Sequence, residues 1–181
     1  MIDASKYDQI ETLKNGTAVR IRAIRSDDKG RLSEAFRNLE TESIYTRFFS
    51  HKKALSEAEL KAATEVDFEK VVALVVTVGE GKNETIIAGG RYATFETTDS
   101  RRSAEVSFTV EEDYQGQGLA GRLLRHLVQI AREEGVSQFE AEVLSGNKAM
   151  LTVFSRSGLP INKSYADGVT HVTLSLAEPA A

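Results

Sequence analysis

Cysteine is absent from the 181-residue chain, so neither disulfides nor a thiol nucleophile are available to it. A chain without disulfides suits the cytoplasm, and that is the expected compartment. Long hydrophobic runs are missing too. The longest, Val71 to Val78, is far too short to cross a membrane. The opening Met1-Ile2-Asp3-Ala4 leads into a polar stretch with no apolar core of a secretory signal. Positive charge is not in excess: the net charge of −4 argues against a broad basic face for nucleic acid. No Gly-x-Ser-x-Gly elbow offers an activated serine. His51, His126 and His171 show no metal-ligand spacing, so they read as structural or surface residues and no metal is expected. There is no internal repeat, low-complexity tract or Gly/Pro/Ser-rich linker. What remains is an ordinary globular composition, 41% hydrophobic and 28% charged, long enough to bury one substantial core.

The informative stretch is Asp113-Tyr114-Gln115-Gly116-Gln117-Gly118-Leu119-Ala120-Gly121-Arg122. Before it, Ala104, Val106, Phe108 and Val110 alternate with Glu105, Ser107 and Thr109, the two-residue period of a half-buried strand. After it, Leu119, Leu123, Leu127 and Ile130 recur at helical spacing, with Arg122, Arg125, Gln129 and Glu133 opposite. Glycines between a strand and a helix let the backbone approach a ligand closely, and the first helical amides and the dipole favour an anion there. Taken alone, the pattern fits a tight connection as well as a pyrophosphate cradle. It lacks the Gly-Lys-Ser/Thr ending of an ATP or GTP site. For a dinucleotide site, Glu140 and Glu142 lie inside the next strand rather than at its end.

The spacing Gln115-x-x-Gly118-x-Ala120 resembles the acyl-CoA-binding motif of the GNAT family of N-acetyltransferases. Asn147, opening the helix after the next strand, matches the family's pantetheine-contacting Asn. Ile21-Arg22-Ala23-Ile24-Arg25 with Asp27-Asp28, Ser43 to Phe49, and Ala104-Glu105-Val106-Ser107-Phe108 look like the acetyltransferase domain of bacterial protein lysine acetyltransferases. The resemblance covers residues 17 to 175.

Along the chain, residues 1 to 16 read as an N-terminal arm, partly helical from Asp8 to Lys14 and ending at Asn15-Gly16. Residues 17 to 176 form the acyltransferase domain, and 177 to 181 a tail. Thr17 to Ile24 alternates as a strand. Asp27-Asp28 is placed to cap a helix through Leu32, Ala35, Phe36 and Leu39, and Ser56-x-x-Glu59 is a capping box for a second. Val71 to Val78, Thr85 to Phe95 and Arg101 to Val110 follow as strands, then Val136 to Leu144 and a helix ending near Ser157-Gly158. Asp167-Gly168 marks a hairpin between Ile161 to Tyr165 and Val169 to Leu176. The expected fold is α+β, a mostly antiparallel sheet of about seven strands with helices on both faces.

The resemblance implies acetyl-CoA as co-substrate and an amine acceptor, a protein lysine or a small molecule. It assigns the pyrophosphate to the loop Gln115, Gly116, Gln117, Gly118, Leu119, Ala120 and Gly121, with positive charge from Arg122. Main-chain groups of Phe108, Thr109 and Val110 would pair with pantetheine like an added strand. Glu105 matches the family's catalytic glutamate. A lysine amine has a pKa near ~10.4, so a base or a desolvated site must help release its proton. Glu142 is the reserve candidate; the bland alternative for both is a carboxylate on the polar face of a strand. Many relatives carry a Tyr that protonates the leaving thiolate, seven residues after the Asn; here that position is Phe154, which can pack against the ligand or simply fill core. A non-catalytic acyl-CoA sensor is therefore the rival expectation, and a nucleotide-binding domain a third. The chain leaves no room for the attached regulatory or synthetase-like domain that lysine-acetyltransferase relatives often carry. Its oligomeric state cannot be read from sequence.

Overall fold

The structure, a computed structural model, describes residues 2–37, 54–96, 101–111 and 114–176. The Ser43–Phe49 cluster, His51, Leu39, Asp113 and the 177–181 tail lie outside them. In chain order the elements are β1 (Asp8–Thr12), β2 (Ala18–Ala23), α1 (Lys29–Arg37), α2 (Glu57–Thr64), β3 (Val71–Val78), β4 (Thr85–Glu96), β5 (Arg102–Val110), α3 (Leu119–Glu133), β6 (Gln138–Leu144), α4 (Lys148–Ser155), β7 (Ile161–Ala166) and β8 (Val169–Ser175). The strands make one sheet in the order β1-β2-β3-β4-β5-β6-β8-β7, and every neighbouring pair is antiparallel except β5 with β6.

Residue patterning decides which face each helix covers. Leu119, Leu123, Leu127 and Ile130 of α3 are at most 2% exposed and pack with Ala104, Val106 and Phe108 of β5, while Arg125, Gln129 and Glu133 face solvent. Phe154 of α4 joins the same core. On the other face, Leu32 and Ala35 of α1 pack against Ile24, Ala73, Val75 and Ile86. Helices thus cover both faces, as expected. The Ser56/Glu59 capping box forms in both directions at α2. The β7–β8 turn places Asp167 and Gly168 at φ of 52° and 78°, the left-handed pair that a two-residue hairpin turn demands.

Two expectations are corrected. The stretch Asp8 to Lys14 is not helical: Asp8–Thr12 pairs along its length with Arg22–Ala18 and adds an eighth strand. Its side chains are mostly exposed, as befits an edge strand, so they lack the alternation that betrays a strand in sequence. Asp28 does not cap α1. A 3₁₀ turn, Ser26–Asp28, comes first, and the buried Asp28 carboxylate accepts from the Arg25 amide at 2.7 Å and pairs bidentately with the buried Arg22 at 2.8 Å. Burial alone would raise the Asp28 carboxyl, but the Arg22 hydrogen bonds and the Arg25 amide hold it below its ordinary range. Among the described residues no helix is long and apolar enough to cross a membrane.

Candidate active site

Strands β5 and β6 pair over only three positions, Ser103, Ala104 and Glu105 with Gln138, Phe139 and Glu140. Beyond Glu105, β5 runs on to Val110 with no partner strand on that side, and β6 runs on to Leu144 paired only with β8. The parting leaves a cleft of about 680 Å³. One wall is Val106 to Val110, the other Ala141 to Val143 with Met150 and Val153 of α4, and the end is the first turn of α3.

The local sequence shapes that end. Gly116 and Gly118 take φ of 83° and 78°, and Gly118 is the left-handed N-cap of α3. A Cβ on Gly116, Gly118 or Gly121 would meet no atom within 4 Å, so the space over the helix start is open. The first amides of α3 have no acceptor behind them in the helix and, with the helix dipole, suit an anion. Gln115 Nε2 donates to the Val110 carbonyl at 3.2 Å, closing the loop against the strand it leaves.

Eleven of the thirteen expected binding residues line this cleft: Phe108, Thr109, Val110, Gln115, Gly116, Gly118, Leu119, Ala120, Gly121, Asn147 and Phe154. Asn147 caps α4, its side-chain oxygen accepting from the Met150 amide at 3.2 Å. The Phe154 ring is 1% exposed and packs on Phe108 with centroids 6.1 Å apart, so it is core and cleft wall together. Gln117 and Arg122 are not among the lining residues. Arg122 is committed elsewhere, donating to Glu11 at 2.7 Å and to the Thr12 carbonyl at 3.1 Å. Lys14 and Arg156, which sequence reading did not single out, are the positively charged residues lining the cleft. Lys14 arrives through the β1–β2 turn, and reading β1 as part of an arm hid it.

Glu11 gathers the outer face of α3. Besides Arg122 it binds Arg125 at 3.1 Å and His126 Nε2 at 2.6 Å, while Nδ1 of His126 meets the Tyr7 hydroxyl. Partial burial would raise the Glu11 carboxyl, but hydrogen bonds from Arg122 and His126, and the Arg125 charge, outweigh it and hold the group low. His126 is structural, as expected.

Glu105 occupies the last position at which β5 pairs with β6, exposed, on the face that also carries Ser107 and Thr109. It stands where the strands part, although it is not itself a wall of the cleft. Its partner across the parallel pair is Glu140, which accepts from His171 Nε2 at 3.0 Å. Glu142, the reserve candidate, lines the cleft two residues further on, 4.0 Å from His171 Nδ1. The arrangement offers a carboxylate where the strands part, with a helix start suited to an anion at the slot's other end.

The Acetyltransferase (GNAT) family matches residues 35–159 of the chain. An acetyltransferase of Pseudomonas aeruginosa is 30% identical over 141 residues, covering 78% of this chain and 74% of that protein. Acetyltransferase Pat of Mycolicibacterium smegmatis is 36% identical over 118 residues, covering 65% of this chain but 34% of Pat, so the chain spans about a third of that relative. The crystal structure of the GNAT domain of S. lividans PAT matches with a TM-score of 0.84 and 34% identity, over 93% of this chain and 96% of that one.

Proposed function

The chain belongs to the GNAT acetyltransferase family and is an N-acetyltransferase using acetyl-CoA, and from that premise we propose how its cleft carries out the transfer. The observation that carries the reading is the slot opened where β5 and β6 part, ending on the glycine-rich start of α3. The diphosphate of acetyl-CoA lies on the amides of Gly116 to Gly121, with Lys14 supplying positive charge nearby. The pantetheine arm runs along the unpaired edge of Phe108, Thr109 and Val110, as an added strand would, with Asn147 and Phe154 on the far wall. The thioester then lies where the strands separate, beside Glu105.

The acceptor is a primary amine, and its ammonium must lose a proton before it can attack. Glu105 takes that proton, directly or through a water, and the amine adds to the thioester carbonyl in a ternary complex. Phe154 has no proton to give, so CoA departs as the thiolate and is protonated by solvent. A cytoplasmic setting, with acetyl-CoA at hand, fits this chemistry.

Direct transfer has a kinetic signature. Initial-rate plots against both substrates should intersect, and mass spectrometry after mixing with acetyl-CoA alone should show no stoichiometric, turnover-competent adduct. A labelled acetyl group that sits on one residue and chases onto added amine contradicts the mechanism.

A further inference from the structure

A second cavity, of about 330 Å³, lies on the opposite face of the sheet from α3, between α1, α2 and strands β3 to β5. Its wall is mostly apolar, including Leu32, Phe36, Ala63, Val75 and Ile86. Ser107 and Thr109 line both this cavity and the cleft, so the two spaces meet at β5. Three charged side chains reach the cavity wall among the described residues: Glu59, Arg91 and Glu111. Glu59 accepts from the Ser56 amide in the capping box, and Glu111 is engaged in an interaction of its own. Arg91, half-buried on β4, is the one charge of the three with neither a hydrogen bond nor an ion pair.

A guanidinium partly withdrawn from water against an apolar wall gives up hydration that no hydrogen bond or ion pair among the described residues returns. Its planar fork of donors matches a carboxylate, which it can bind bidentately. Its position fits the reaction. Arg91 pairs in register with Ser107, and Ala93 with Glu105, so Arg91 and Glu105 are diagonal neighbours on one face. Such diagonal positions lie about 7–8 Å apart along the sheet, within reach of long side chains. A small molecule presenting its amine at Glu105 can therefore set an anionic group on Arg91 and rest its apolar body in the cavity.

We infer that the acceptor is a small amino-carboxylate, whose carboxylate pairs with Arg91 and whose aliphatic or aromatic body fills this cavity. The inference rests on the N-acetyltransferase reading above and narrows its acceptor. A lysine within a polypeptide carries no free carboxylate beside its amine and leaves Arg91 unmatched. In the reaction the ammonium gives one proton to Glu105 and the freed nitrogen pair forms a bond to the acetyl carbonyl carbon. The carbon–sulfur bond breaks with its electron pair on sulfur, and the second nitrogen proton ends on the thiolate through solvent. The products are an N-acetyl amino-carboxylate, CoA thiol and the proton taken by Glu105.

The test measures kcat/KM by thiol release for leucine, methionine, phenylalanine and β-alanine, each against its own carboxamide, and for a lysine-containing peptide. Wild-type protein should favour at least one acid over its amide by roughly ten- to a hundredfold, the scale of a charge-assisted pair. Arg91→Gln should bring that ratio close to one, mainly through KM, and Arg91→Lys should keep part of it. Indifference of the wild type to the carboxylate, a preference that survives in Arg91→Gln, or a peptide that outperforms every acid overturns the inference. The wild-type comparison decides the matter even if a variant fails to fold. Calorimetry with acetyl-CoA separates the two levels. If wild-type protein does not bind it, the acetyltransferase reading fails; if it binds and acetylates amides or the peptide as readily as acids, only the role of Arg91 fails.

Discussion

At the scale of single residues, Glu105 carries the most weight. It sits at the point where two parallel strands stop pairing, exposed and beside the polar residues that border both cavities. Glu105→Gln keeps the shape and removes the base. Turnover should fall by roughly ten- to ten-thousandfold at neutral pH with acetyl-CoA affinity nearly intact. The loss should shrink at high pH, where more acceptor is already neutral. A mutant that acetylates its best amine at the wild-type rate makes Glu105 structural and moves attention to Glu142. The place of Glu105 on the polar face of β5 was legible from alternation, whereas its nomination as the base came from the family resemblance. Arg91 was not legible, since nothing in a linear pattern shows that an arginine has no hydrogen-bond or ion-pair partner among the described residues. Arg122 was legible as a helix residue, but its pairing with Glu11 was not, because that carboxylate lies 111 positions away.

At the scale of elements, β1 and α3 form one device. The exposed β1 strand supplies Glu11, whose single carboxylate binds two arginines and a histidine on the helix whose start closes the end of the cleft. The Glu11 carboxyl is held below its ordinary 4.5 in the folded protein, so its contribution has a definite pH window. It is fully present above the unfolded-state value and is lost as pH falls through the depressed folded-state value. Glu11→Gln should therefore destabilise the protein by roughly 1.5–3 kcal/mol at neutral pH, the range for hydrogen bonds to a charged group. Urea unfolding of both proteins across pH should show that gap closing below about pH 4.5. An equal gap at pH 3 and pH 7 would mean that Glu11 acts by packing alone. β1 was invisible in sequence for the reason that makes it useful: an edge strand spends its side chains on ion pairs rather than on the core, so hydrophobic alternation never develops.

At the scale of the whole molecule, the element order from β2 to β8 followed from periodicity and turn signals: β5 and α3 bury one regular face each, while β7, exposed almost throughout, was marked by the Asp167-Gly168 turn. The sheet's one parallel junction did not. Pairing is a long-range property, and only the succession of β5, α3 and β6 hints that the chain must cross over to return in the same direction. That junction is what the fold contributes to function, since it opens the slot between strands that antiparallel neighbours brace on their outer sides. The account predicts that acyl-CoA binds there, with its diphosphate at the start of α3. Calorimetric titration of acetyl-CoA into wild type, Gly118→Val and Gly121→Leu tests this most directly. Gly118 holds a left-handed φ that valine resists, whereas Gly121 has ordinary φ and open space at its Cβ, so its leucine enters the cleft without straining the backbone. Wild-type protein should bind one equivalent, and both variants, shown folded by thermal melting, should bind none detectably. Unchanged affinity in a folded Gly121→Leu protein would contradict the site.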